Sequence, residues 1–140
     1  MKRLLYTAMV VASLVYILGG CGAKADIKKA EAAVEDFHAQ LNAGNFDQIY
    51  NSSDDLLKNA TSQERFVNLL SAVHRKLGAA KSAERKGFFM NYGNQGEVIR
   101  LTYSTQYDSD QASEEFVFHA SGDRMQLAGY HINSDALVTQ

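Results

Sequence analysis

The 140-residue chain contains no proline, no tryptophan and a single cysteine, Cys21. One thiol cannot form an intramolecular disulfide, so the sequence excludes a small fold held together by disulfide bridges. Because proline is absent, no position argues for a kinked helix or for a proline-braced turn. The architecture must therefore be inferred from hydrophobic periodicity, from capping residues and from glycine.

Excess charge of either sign is also lacking. The chain carries 14 basic and 16 acidic side chains, and without residues 1–20, which include Lys2 and Arg3, 12 basic side chains face 16 acidic ones. No cluster of lysine or arginine remains in that part. Nucleic acid and anionic lipid headgroups are therefore not expected as electrostatic partners.

The first twenty residues have the pattern of a targeting signal. A basic start, Met1-Lys2-Arg3, precedes an apolar run over residues 4–18, which is shorter than the roughly 20 residues that a transmembrane helix needs. The run ends in Leu18-Gly19-Gly20-Cys21, which resembles the lipobox of bacterial lipoproteins. An ordinary secretory signal or an uncleaved anchor is the alternative interpretation.

The lipobox resemblance implies a specific modification and location. The Cys21 thiol would carry diacylglycerol, the signal would be cleaved between Gly20 and Cys21, and the new amino group would be acylated, for example with palmitate. By the sorting rule of enteric bacteria, Gly22 in place of Asp favours the outer membrane, so the protein would face the periplasm. The acylated Cys21 is thus the expected link to the membrane.

The predicted organisation has three parts. Residues 1–20 form the lipoprotein signal peptide, residues 21–25 form the lipidated cysteine with a short tether, and residues 26–135 form one α+β domain. If extended, residues 22–25 span at most about 14 Å, so the domain is expected close to the bilayer.

Helical periodicity occupies the first half of the domain. Apolar residues recur at intervals of three and four from Ile27 to Leu41, and again from Phe66 to Leu77. Asp26 and Gly44 are predicted to start and stop the first helix, while a capping box at residues 61–64 opens the last one. Short helical pieces are expected near residues 46–50 and 54–57.

The second half predicts four antiparallel strands over residues 88–92, 97–107, 114–121 and 124–132. Alternation gives one apolar face, and Gly122-Asp123 suits a two-residue hairpin turn. A six-residue loop over 108–113 places Glu114 opposite Tyr107, and the tight turn places it opposite His131. Residues 79–85 are expected to be a connector, and the helices cover the apolar face of this meander.

A family resemblance adds to this pattern. The segments at 37–46, 77–82 and 122–132 resemble those of a family of small secreted bacterial domains of unknown function. That family is similar to the nuclear transport factor 2-like superfamily, in which helices and a curved antiparallel sheet form a cone around a pocket. The resemblance implies a cone-shaped domain with a pocket, but it implies no reaction, because this superfold serves enzymes, binders and scaffolds alike.

Candidate pocket residues follow from the predicted strand pairing. Tyr107, Glu114 and His131 meet at the open end of the apolar face, where a carboxylate, an imidazole and a phenol could act as a general acid–base group. Tyr103 lies deeper on that face, and Tyr50 could approach from a helix. Solvated side chains at a sheet end are the competing interpretation.

Two functional hypotheses follow. The favoured one is a lipid-anchored, non-catalytic domain that binds a small ligand or an envelope protein. It could dimerise through an outer face that carries four apolar residues: Val117, Ala128, Tyr130 and Ile132. The alternative is a small hydrolase or isomerase that uses the tyrosine, glutamate and histidine. No residue pattern indicates a metal or a cofactor, and the four histidines are expected to be internally bonded or solvated.

Overall fold

The computed structural model describes residues 21–139, so the predicted signal peptide at 1–20 lies outside the described residues. Within this range, five helices and four strands follow one another: α1 (Cys21–Ala43), α2 (Phe46–Asn51), α3 (Asp55–Ala60), α4 (Gln63–Leu77), β1 (Ala80–Gly93), β2 (Gly96–Tyr107), β3 (Gln111–Ser121), β4 (Arg124–Asn133) and α5 (Asp135–Val138). The strands form one open antiparallel sheet in the order β1-β2-β3-β4. The α+β class with helices before an antiparallel meander is confirmed. The last helix, α5, extends the domain slightly beyond the predicted end at residue 135.

Helix α1 is longer than the sequence pattern indicates. Residues 22–25 are already helical, so they are not an extended tether, and Asp26 lies inside the helix instead of capping it. Alanine and lysine dominate this segment, and both favour helix. The predicted stop is present, since Gly44 follows the helix with a φ of 76°. The buried side of α1 is the predicted stripe of Ala30, Val34, Phe37 and Leu41.

Helix α4 has the predicted buried stripe of Phe66, Leu70, Val73 and Leu77. Its N-cap is Ser62, whose hydroxyl accepts a hydrogen bond from the backbone N–H of Arg65, so the helix starts one residue later than a capping box at Thr61 would place it. Among the described residues, no helix has the length and the apolar character needed to cross a membrane.

Strand β1 begins at Ala80, so the predicted connector over residues 79–85 is wrong. That segment is polar because β1 is an edge strand, whose side chains are largely exposed. The pairing of β1 with β2 agrees with the prediction for Phe88 opposite Leu101 and for Met90 opposite Ile99.

The loop between β2 and β3 is shorter than predicted. Only residues 108–110 separate the two strands, so Glu114 lies opposite Tyr103 instead of Tyr107. The displacement is four residues. Because side chains alternate with a period of two, an even displacement keeps every side chain on its predicted face. The face assignment therefore survives although the pairing was wrong.

A β-bulge in β4 changes the faces of the last strand. Phe118 pairs with Leu127, but the preceding residue Val117 pairs with Gly129, so Ala128 is the extra residue. Beyond the bulge each side chain of β4 points to the face opposite to the one predicted. Tyr130 and Ile132 therefore pack against the core, and the apolar part of the proposed dimer face is reduced to Val117 and Ala128.

Candidate functional site

The site is built around Glu114, a carboxylate that is fully buried on the helix-covered face of β3. Its neighbours along the strand on the same face are Ala112 and Phe116, which are also buried. A carboxylate in such surroundings is costly unless hydrogen bonds compensate for the lost water. The contacts of Glu114 therefore decide what it does.

Four side chains donate hydrogen bonds to this carboxylate. Oε1 accepts from the hydroxyls of Tyr107 at 2.7 Å and Tyr130 at 2.6 Å. Oε2 accepts from the hydroxyl of Thr105 at 2.6 Å and from Nε2 of His38 at 2.8 Å. An ionised carboxylate offers about four lone-pair sites, so its accepting capacity is filled.

The network holds Glu114 in its charged form. Burial alone would raise the pKa of Glu114, but the hydrogen bond from His38 and the positive charge of His38 when protonated, together with the hydrogen bonds from Thr105 and Tyr107, outweigh burial and lower the pKa below its ordinary value. The pKa values of the two phenols, Tyr107 and Tyr130, change in the opposite direction. Burial and the adjacent Glu114 charge raise the pKa of Tyr107 and Tyr130 well above that of a free tyrosine. Both tyrosines are thus neutral donors at physiological pH.

The hydrogen bond to Glu114 also determines which nitrogen of the His38 ring carries the hydrogen. A charged carboxylate can only accept, so Nε2 of His38 must carry the hydrogen. In the neutral imidazole Nδ1 is then an unprotonated acceptor. Among residues 21–139 no group forms a hydrogen bond with Nδ1, and His38 lines an open groove.

This groove lies between α1 and β1 and has a volume of about 570 Å³. Two contacts join its walls: the guanidinium of Arg85 donates to Glu31 at 2.7 Å, and the side-chain amide of Asn42 forms two hydrogen bonds with the backbone of Ala80. Helix α1 contributes Glu31, Val34, Glu35, His38, Ala39 and Asn42, while the sheet contributes Ala80, Lys81, Ser82, Ala83, Arg85 and Tyr103.

Tyr103 supplies a second polar group at the base of the groove. Its side chain is almost fully buried, and its hydroxyl has no hydrogen-bond partner in the described part of the chain. Burial and the carboxylates of Glu31 and Glu35 raise the pKa of Tyr103, against the influence of Arg85. The groove therefore offers a neutral hydroxyl and an imidazole nitrogen, with charges of both signs at its walls.

The predicted pocket residues are only partly brought together. Tyr107 bonds to Glu114 and Tyr103 lies opposite it, as members of one cluster. Tyr50 is elsewhere, since its hydroxyl donates to the backbone oxygen of Thr61. His131 is exposed and pairs with Glu115, so the bulge at Ala128 removes it from the cluster.

The same bulge explains one residue that the sequence analysis missed. Ile132 lies opposite Glu114 where His131 was expected, and Tyr130, on the same face of β4, bonds to Glu114, because the strand beyond Ala128 is rotated to the other face. His38 was expected to be internally bonded or solvated, but it was not assigned to the pocket because strand pairing alone does not show which helix residue reaches Glu114. Its position between Val34 and Leu41, at helical spacing, was the signal that it faces the sheet.

Outside this cluster, His119 is internally bonded, which is one of the two alternatives expected for the histidines. Its Nδ1 lies 2.8 Å from the carboxylate of Asp54, and its Nε2 meets the backbone oxygen of Gln95. These two acceptors raise the pKa of His119. No group of three or more potential metal ligands occurs within residues 21–139.

Comparison with known sequences gives one match. Residues 33–130 fit the family described as "Protein of unknown function (DUF4019)", which covers α1 from its middle, the remaining helices through α4, and the sheet to Tyr130. No curated protein and no solved structure shows a significant match. Because the match spans more than half of the sequence, the chain belongs to the DUF4019 family.

Proposed function

We propose that this DUF4019 protein is a lipid-anchored component of the bacterial cell envelope whose α1–β1 groove binds a small polar ligand without transforming it. The observation that carries the ligand site is the pair of groups at the base of the groove. The Tyr103 hydroxyl and His38 Nδ1 have no hydrogen-bond partner in residues 21–139, although both side chains are buried by nine-tenths or more. Both polar atoms belong to residues that line the groove, so one small polar molecule seated there could form hydrogen bonds with both.

The walls of the groove indicate the chemistry of that ligand. Arg85 and Lys81 can pair with a carboxylate or phosphate, and Glu31 and Glu35 can accept from hydroxyl or amine groups. A molecule with groups of both kinds suits this lining better than an apolar one. A small polar ligand is therefore favoured over a lipid or an aromatic compound.

We also propose a relationship to the nuclear transport factor 2-like superfamily. It is supported by the order of helices before an antiparallel sheet and by a groove between the first helix and that sheet. The relationship concerns the fold and adds no reaction.

A second candidate function rests on the Glu114–His38 pair. A buried carboxylate that orients an imidazole, with the other ring nitrogen free, is an arrangement that supports general base catalysis. A hydrolase or isomerase would then use His38 and not the predicted His131. The filled coordination of Glu114 and its depth favour the binding function, because such a network also stabilises the core.

The ligand site is tested by the change Tyr103→Phe, which removes only the unpartnered hydroxyl. We expect the protein purified from bacterial membranes to carry a small molecule in native mass spectrometry and the variant to lose most of it. Stability should change by less than about 0.5 kcal/mol, since no protein hydrogen bond is lost.

The matched control is Tyr50→Phe, the same chemical change outside the groove. It should leave the bound mass unchanged. An empty parent protein, or equal occupancy in the parent and in Tyr103→Phe, would exclude the groove as the binding site. Conversion of the bound molecule by the parent, with loss of conversion in His38→Gln, would instead support the enzyme.

The anchor is tested by Cys21→Ala. We expect cells labelled with an alkyne fatty acid to incorporate the label into the parent but not into the variant, because no other cysteine can form the thioether. Label that persists in the Cys21→Ala protein would refute the lipoprotein assignment.

A further inference from the structure

Three aromatic side chains on the second half of β1 are unusually exposed. Phe88, Phe89 and Tyr92 are exposed by 57%, 58% and 68%. They occupy both faces of the strand, since Phe88 and Tyr92 share one face while Phe89 lies on the other. We call these three residues the aromatic patch.

Helix α1 runs alongside β1 in the opposite direction. Asn42 contacts Ala80 near the start of β1, and Glu31 contacts Arg85 further along it. The helix rises about 16 Å between Asn42 and Glu31 at 1.5 Å per residue. Because of the bulge between Ala80 and Ser82, the strand advances from Ala80 to Arg85 by only four steps of its partner β2, or about 13 Å at 3.3 Å per residue. The two lengths are similar, so α1 and β1 lie side by side over this stretch.

The same rises place Cys21 level with the aromatic patch. From Glu31 back to Cys21 the helix covers about 15 Å. Counted along its partner strand, β1 covers about 10 Å from Arg85 forward to Phe89 and about 20 Å to Tyr92. Partial desolvation and the neighbouring Glu97 raise the pKa of Tyr92, and the Asp26 carboxylate, five residues after Cys21 on α1, adds to this increase, so Asp26 lies near the Tyr92 ring. The start of α1 and the aromatic patch therefore lie at one end of the domain.

We propose that the aromatic patch contacts the lipid bilayer beside the acylated Cys21 and so holds the domain in one orientation on the membrane. This inference rests on the proposed lipid anchor. Because residues 22–25 are helical, they cannot extend into a tether that would lift this end away from the bilayer. The end of the domain that carries the patch must then face the lipid.

The chemistry of the patch suits the interfacial region of a bilayer. Phenylalanine and tyrosine rings insert among the headgroups and the upper parts of the acyl chains. The guanidinium groups of Arg85 and Arg100 lie over the rings of Phe88 and Phe89, at 5.3 and 6.0 Å from their centres. Arg100 would meet lipid phosphates while the rings contact the chains, whereas Arg85 remains paired with Glu31 in the groove.

The absence of tryptophan in the chain allows a direct test. The lipidated full-length Tyr92→Trp variant is reconstituted into phosphatidylcholine vesicles, with and without bromine on the acyl chains. We expect brominated lipid to quench roughly half or more of its fluorescence, because interfacial rings reach the acyl-chain boundary. The matched control is Val138→Trp, which is exposed by 74% in the parent and lies near the opposite end of the sheet, beside the loop at Asp110. Its emission should not change.

Flotation of the vesicles tests the lipid anchor separately from the contact between the aromatic patch and the bilayer. If the protein floats but the fluorescence of Tyr92→Trp is not quenched, the lipid anchor is present and the proposed contact of the aromatic patch with lipid is wrong. Parent protein that does not float overturns the anchor and the contact together. A blue shift of Tyr92→Trp that depends on protein concentration and occurs without lipid would show that a second copy covers the patch, which also overturns the lipid contact.

Discussion

Glu114→Ala is expected to lower the free energy of unfolding by roughly 3–5 kcal/mol. The substitution removes the common acceptor of four donors and leaves the hydroxyls of Thr105, Tyr107 and Tyr130 without a partner in the core. Each unsatisfied buried polar group costs about 1–3 kcal/mol. The loss is a large part of the 5–15 kcal/mol that holds a typical domain together.

Urea unfolding of the parent and the variant measures this loss. Glu115→Ala provides the matched control, because Glu115 is the next residue on β3 and its side chain is 41% exposed beside Arg100. Its loss should cost no more than about 1 kcal/mol. Equal losses at the two positions would contradict the buried network.

The network also predicts how stability depends on pH. The folded-state pKa of Glu114 is lowered, so its contribution is present above the unfolded carboxyl pKa of about 4.3 and is lost as pH falls through the folded-state pKa. Asp54, Asp108 and Asp110 have lowered pKa values as well. The test is therefore the difference in acid sensitivity between the parent and Glu114→Gln, and we expect the parent to be the more sensitive.

Phe116→Ala should cost about 3–5 kcal/mol, the range for removing a buried phenylalanine from a packed core. Phe116 has no exposed surface. Its ring lies 5.1 Å from that of Phe37 and 5.2 Å from that of Tyr130, with the rings of His38, Tyr103 and Phe118 at slightly larger separations. It therefore joins α1, β2 and β4 in one aromatic cluster.

The control for this change is Phe88→Ala, which removes the same atoms from a side chain that is 57% exposed. Its cost should stay below about 1 kcal/mol in detergent solution. Thermal or urea unfolding compares the two variants. A loss for Phe88→Ala as large as that for Phe116→Ala would show that the core is centred elsewhere.

Periodicity predicts the helices and the faces of the first three strands because burial itself imposes it. On β3, for example, Phe116 and Phe118 alternate with exposed or half-buried residues, and Phe118 is only 2% exposed. The predicted pairing of β2 with β3 was wrong, but the predicted faces are correct, since a displacement of four residues leaves each side chain on the same face. Residues 79–85 were mistaken for a loop because an exposed edge strand has no apolar alternation.

The bulge at Ala128 could not be inferred from the local sequence. Next to it, the backbone N–H of Asp54 donates to the backbone oxygen of Leu127, a contact between residues far apart in the chain that the sequence of β4 alone does not reveal. Because of this bulge, Tyr130 and not His131 contacts Glu114. Tyr107 and Glu114 were placed on the correct face because their faces depend only on β2 and β3, whose pairing contains no bulge.

The orientation of the His38 ring tests the central claim most directly, because both the buried network and the groove depend on it. Long-range ¹H–¹⁵N correlation spectra of the parent, with His38 assigned by its absence in His38→Gln, distinguish the two tautomers of the neutral imidazole. For the neutral imidazole we expect the hydrogen on Nε2, which bonds to Glu114, and no hydrogen on Nδ1. A neutral His38 with its hydrogen on Nδ1 would contradict the account.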